Sequence, residues 1–180
     1  MRARRLTQSL LIGGLALLAL PAIVSGGASF SVAELTRSAA RIFRGRCVDA
    51  RPGTVDFRGR PLAATAYTFD VSEYLKGDGG RMLTFRQAGT PARDVTDLGR
   101  VAGLVVFAPG VEYVVFLRPV SQAGLTSAAG RGRGVLLVSG ETVQVSDADG
   151  RTPAPGAESI AYESLRRAVL QVTREDARRR

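Results

Sequence analysis

From Thr65 to Glu73 the chain alternates without a break, with Thr65, Tyr67, Phe69 and Val71 on one face and mostly polar residues on the other. Successive side chains of a strand point to opposite faces, so this period of two specifies a half-buried strand. Lys76-Gly77-Asp78-Gly79-Gly80 is turn chemistry, and Met82 to Gln87 pairs back with Leu83 and Phe85 inward. A β-rich core is expected around this hairpin.

Other segments add strands to it. Arg41 to Ala50 reads as a strand with Gly45 at its middle, where a glycine often marks a bulge or bend. Val111 to Leu117 places Val111, Tyr113, Val115 and Leu117 on one face. Its opposite face carries Glu112, Val114 and Phe116, so it too is largely covered. Leu125 to Ser127 and Val135 to Val138 are short strand pieces, and Gly140-Glu141 turns into Thr142 to Val145. Two helices flank the set. Ser31-Val32-Ala33-Glu34 has the form of a capping box and opens a helix over about 32–40. Ile160 to Val172 repeats apolar residues at helical spacing. Arg51 to Pro61 and the long stretch Ala88 to Pro109 read as loops, and Arg151 to Ala157 as a Pro/Gly linker.

The amino-terminal segment addresses the chain for export. Arg2, Arg4 and Arg5 precede an apolar run from Leu10 to Val24, and Ser25-Gly26-Gly27-Ala28 follows. This is the layout of a signal peptide cleaved near Ala28. A retained anchor is the alternative, opposed by a run short of the roughly 20 apolar residues that span a bilayer and broken by Gly13, Gly14 and Pro21. Removing 28 of 180 residues leaves 152, enough for one domain with a real core. The expected organisation is a leader over 1–28, a β domain over 29–150, and a linker, helix and Arg-rich tail over 151–180. The location is secreted or periplasmic, with no stable membrane span once the leader is removed.

Composition excludes much chemistry. With no histidine, Ser-His-Asp and Cys-His catalysis and histidine-based zinc sites are ruled out. A single cysteine, Cys47, forms no internal disulfide, and its apolar surroundings suit a buried inert thiol, with an intermolecular or reactive thiol as the alternative. The net charge of +9 falls to +6 without the three leader arginines. Six basic residues follow Leu165, a run expected to be a frayed, solvated tail or else a patch for anionic surfaces. Asp147-Ala148-Asp149-Gly150 echoes a calcium loop without its later ligands, so a turn is expected. Gly130-Arg131-Gly132-Arg133-Gly134 reads as a glycine-bent junction in preference to a phosphate cradle, because no helix follows it. Asp70 and Glu73 point in opposite directions and read as solvated surface. Tyr67, Phe69, Phe85 and Tyr113 fall on core faces, which argues against a nucleic-acid platform.

Three stretches carry a resemblance. Ala39-Ala40-Arg41-Ile42-Phe43-Arg44-Gly45-Arg46-Cys47-Val48, Tyr67 to Gly77 with its Leu75-Lys76-Gly77 ending, and Glu112-Tyr113-Val114-Val115-Phe116-Leu117 together resemble the netrin-like, tissue-inhibitor-of-metalloproteinases type of domain over about residues 31–138. They are similar too to exported bacterial proteins of unknown function. The resemblance implies an OB-like, five- to six-stranded antiparallel barrel with flanking helices. It also implies a non-enzymatic binding module without a cofactor or metal, acting as a monomer on a protein partner such as an exported metalloprotease. The family's inhibitors grip the protease zinc through an amino-terminal cysteine, whereas the mature chain here begins near Ser29 or Phe30, and the family's disulfides are missing.

If use follows the family, the contact edge combines Ser29 and Phe30 with rim loops carrying Asp56, Phe57, Arg93, Asp94 and Arg100. Phe30 has an alternative role as a hydrophobic staple at the first helix. Attachment to an envelope or polyanion through the Arg-rich carboxyl end is the second functional class, and an enzyme without a recognisable motif the third.

Overall fold

The computed structural model describes residues 22–23, 30–90 and 104–179. The rest of the segment read as a leader, with Ser29, Arg93, Asp94 and Arg100, lies outside the described residues. A two-residue ladder joins β1 (Ala22–Ile23) to β2 (Phe30–Ser31). The capping box then forms: Ser31 Oγ accepts from the Glu34 amide at 3.2 Å, and the Glu34 carboxylate accepts from the Ser31 amide at 2.8 Å. It opens α1 (Val32–Ser38). The principal sheet contains β3 (Arg41–Phe57), β4 (Arg60–Lys76), β5 (Met82–Ala88), β6 (Glu112–Leu117), β7 (Val135–Ser139), β8 (Thr142–Val145) and β9 (Ile160–Ala161). It is antiparallel throughout, in the order β5-β4-β3-β6-β7-β8-β9, and α2 (Tyr162–Arg178) completes the described chain.

The mainly β class with two helices is as expected, with seven strands in this sheet where five or six were anticipated. The sheet is not closed, since β5 and β9 end it without pairing to one another. Residues 125–129 nonetheless span from β5 to β6. Thr126 N–H donates to the Arg86 carbonyl at 2.8 Å, and Ala129 N–H donates to the Phe116 carbonyl at 2.8 Å. Leu125 to Ser127, read as a strand piece, contributes only an isolated bridge, Leu125 to Arg86; a second joins Ala128 to Leu117.

Both sheet faces are buried. On one, Val114 and Phe116 of β6 pack with Leu35 of α1 and Leu165 and Val169 of α2. On the other, Phe43, Tyr67, Phe69, Phe85 and Tyr113 surround Phe107, whose ring centroid lies 5.0–5.6 Å from those of Tyr67, Phe69, Phe85 and Tyr113. The aromatic residues expected on core faces are there. Edge-to-face contacts of this kind add to the burial of the rings.

Four expectations require correction. The segment read as a loop over Arg51–Pro61 is the far half of a long β3–β4 hairpin, whose last pair is Phe57 with Arg60. Pro52 and Gly53 are tolerated because β3 pairs with β6 only from Arg41 to Arg46, so at these residues β4 is its one strand neighbour among the described residues. Arg58 (φ 57°) and Gly59 (φ 77°) close the arm with two left-handed residues, the geometry that joins twisted strands tightly. Secondly, Val105, Phe107 and Ala108, read as part of a loop, are core residues. Thirdly, Ile160–Ala161 is a strand, and α2 begins at Tyr162 and runs to Arg178, so the basic run through Arg178 is helical and not a frayed tail. Fourthly, Glu73 is not idle surface: it accepts from the Tyr162 hydroxyl and from Arg166 Nε, each at 2.7 Å, and ties α2 to the sheet.

Several local readings hold. The β3–β4 register slips between Arg44 and Gly45, the position expected to bulge. Cys47 is fully buried, and burial pushes its thiol up to about 11. Asp149 Oδ1 accepts from the Arg151 and Thr152 amides, making the Asp147–Gly150 segment a turn. Residues 130–134 turn into β7, with Gly134 N–H donating to the Ala129 carbonyl at 3.0 Å. No helix among the described residues is long and apolar enough to cross a membrane.

Candidate functional site

A cleft of about 660 Å³ opens where β5 lacks a full strand neighbour among the described residues. Its charged lining comes from three distant parts of the chain: Arg41 at the start of β3, Arg86 on β5 and Arg118 just after β6. Val120, 61% exposed, supplies apolar surface to it, whereas Phe85 and Leu117 line it as buried residues.

Each wall has a local cause. Lys76 donates to the Thr36 and Ala39 carbonyls, both at 2.6 Å, and so caps the carboxyl end of α1, where a cation opposes the helix dipole. The Ala40 amide donates to the Leu117 carbonyl at 2.7 Å. Together these contacts fix Ala40 and Arg41 against the end of β6. Arg118 is held by its main chain: its amide donates to the Ser127 carbonyl at 3.0 Å, and its carbonyl accepts from Thr126 Oγ1 at 2.7 Å. Because Thr126 also donates to the Arg86 carbonyl, one short segment sets the spacing between two of the arginines.

Among the described residues the other ion pairs are settled elsewhere. Arg44 and Arg46 face Glu112, Arg51 faces Asp49, Arg81 faces Asp70, Arg166 faces Glu73 and Glu163, and Arg37 faces Asp176. None of Arg41, Arg86 and Arg118 takes part in these pairs, and among the described residues Asp78 is the one acid on the cleft lining. Unpaired guanidinium groups beside apolar surface suit the binding of carboxylates or other planar anions.

β5 adds main-chain capacity. The Arg86 carbonyl points away from β4, toward Thr126, whereas the Arg81 carbonyl accepts from the Val71 amide of β4. By the alternation of an antiparallel ladder, the N–H and C=O groups of Met82 and Thr84 share the outward direction of Arg86. That edge of β5 meets only the isolated bridge at Arg86 among the described residues.

Asp56 and Phe57 lie together at the tip of the β3–β4 arm. Asp56 Oδ1 accepts from the Gly59 amide at 3.2 Å, and the Arg58 guanidinium lies 5.4 Å from the Phe57 ring centroid. With Ser121–Ala123 the tip lines a second groove of about 410 Å³. The turn over 121–124 therefore stands between the arm tip and the arginine cleft. Phe30 enters α1 from β2, so the whole of β3 separates it in the chain from Phe57. Arg41, Arg86 and Arg118 escape sequence reasoning, because no local motif marks them and only the fold gathers them. No group of three or more metal-ligating side chains occurs among the described residues. No protein-family model matches the chain, and no curated protein shows significant similarity to it.

Proposed function

We propose that the protein is an exported, non-enzymatic binding module that captures a protein partner through the arginine cleft and the adjoining arm tip. The observation that carries this reading is the cleft itself: three guanidinium groups without acidic partners among the described residues, set beside an edge of β5 that no described strand occupies. Such a lining binds and orients. The one thiol is buried and held protonated, which removes the most reactive nucleophile from use.

A netrin-like, OB-type barrel is part of the same proposal. It is supported by the bulged first strand, the flanking helices and the 125–129 segment that reaches from β5 to β6. The sequence of the leader supports export with cleavage near Ala28, and mass spectrometry of the exported protein tests it. By the family resemblance, an exported metalloprotease is the first partner to try.

The test is capture from the exported fraction by the mature chain, comparing the native protein with one carrying Arg41→Glu, Arg86→Glu and Arg118→Glu. A partner retained by the first and lost by the second supports the cleft. Equal capture by both overturns it. A second reading, attachment to polyanions, is favoured by the exposure of Arg174, Arg178 and Arg179 along α2. In that case changing these three to glutamine abolishes attachment, while the cleft variant attaches normally.

A further inference from the structure

We propose that the arginine cleft takes an extended, acidic peptide segment, which adds as a strand along the edge of β5 that no described strand occupies and presents carboxylates to Arg41, Arg86 and Arg118. This rests on the reading of the protein as a binding module, and it names the chemistry of the partner. Two independent features converge. The first is charge: three arginines without acidic partners among the described residues share with one aspartate, Asp78, the lining of a cleft of about 660 Å³. The second is the main chain. Met82 and Thr84 direct their N–H and C=O groups to an edge that no described strand occupies, and β5 already accepts one foreign hydrogen bond there, from Thr126 to Arg86.

An added strand satisfies these backbone groups, while its alternating side chains meet different surroundings. Residues on one side of the guest meet the exposed side chain of Val120, and residues on the other meet the guanidinium groups. A peptide that alternates apolar and acidic residues matches both. A flexible polyphosphate or acidic polysaccharide matches the charge but offers no ladder of amides. The favoured occupant is therefore a protein segment, and a polyanion is the competing outcome.

A dye-labelled peptide of about eight residues, alternating valine and glutamate and roughly 26 Å long when extended, is the probe. It is titrated into the mature chain and followed by fluorescence anisotropy. Binding is expected, with a loss of about tenfold for Arg86→Glu and again for Arg118→Glu, in line with the loss of a charge-assisted contact. Methylating the backbone nitrogens of alternate peptide residues leaves charge and protein untouched, and is expected to weaken binding about tenfold or more, by removal of the ladder donors. Hydrogen exchange at Met82 and Thr84 slows in the complex.

The proposal is overturned if the methylated peptide binds as well as its parent, or if a polyphosphate of equal charge binds as tightly and depends equally on the arginines. Loss of partner capture in the charge-reversed protein, without any binding of the valine-glutamate peptide, overturns the acidic strand and leaves the binding-module reading standing. If charge reversal changes neither capture nor peptide binding, both fall.

Discussion

A Cβ atom placed on Gly150 would lie 1.7 Å from the carbonyl oxygen of Val106. The turn after β8 thus presses main chain against main chain, and it holds Val106 between the core residues Val105 and Phe107. Gly150 also has a φ of +68°, which disfavours any side chain. Gly150→Ala is expected to cost about 3 kcal/mol or more, since neither strain nor clash has a flexible atom to yield. Urea unfolding measures it, and a loss within 0.5 kcal/mol, the usual range for a surface change, would show that the turn does not support the core.

Tyr113 joins the same turn to the sheet. Its hydroxyl accepts from the Ala108 amide at 2.9 Å and donates to the Gly150 carbonyl. Burial pushes its phenol up to about 12. Tyr113→Phe leaves a buried donor and acceptor unpaired and is expected to destabilise the fold by about 1–3 kcal/mol. Thermal melting should reveal the loss, with the far-ultraviolet circular dichroism at low temperature unchanged.

Glu73 couples stability to pH. Burial alone would raise its pKa, but the hydrogen bonds from Tyr162 and Arg166, with the charge of Arg166, outweigh that and hold it below its ordinary 4.5. A carboxyl group lowered on folding contributes stability that is complete above the ordinary value and is lost as pH falls through the lower, folded value. Glu73→Gln is therefore expected to flatten the fall in stability below about pH 4.5. Tyr162→Phe removes one partner and should cost about 1 kcal/mol at neutral pH. An unchanged acid limb in the glutamine variant would assign the pH dependence to other carboxylates.

Cys47 is expected to resist modification. The thiolate is the reactive form, and burial holds this thiol protonated up to about 11. An aromatic disulfide reagent at neutral pH should leave the native protein unlabelled and label it fully in denaturant. Rapid labelling of the folded protein would contradict the packing of Cys47 among Phe43, Tyr67 and Phe69.

Patterns carried by neighbours in sequence were legible before the fold was seen. The Ser31–Glu34 capping box, the strand over Thr65–Glu73 with its return over Met82–Gln87, and the two covered faces of Val111–Leu117 all depend on spacings of a few residues. Glycine and proline misled where tertiary context lifts their cost. Pro52 and Gly53 sit where β4 is the one described strand beside β3, so the breaker signal there marks an arm and not a loop. Phe107 enters the core without a ladder, drawn by the rings around it, and no periodicity announces that.

The sequence by itself determined a β-rich chain with two flanking helices, no histidine chemistry and a single cysteine in an apolar stretch, because residue type and short-range periodicity decide those properties. Only the tertiary structure decided that Arg41, Arg86 and Arg118 share one cleft and that Glu73 belongs to α2. Arg41 and Arg118 are 77 positions apart in the chain, and their meeting follows from the pairing of β3 with β6 and from the path of 118–126 back to β5. Such long-range contacts arise from packing and strand register summed over the whole chain, and no single stretch of residues encodes them.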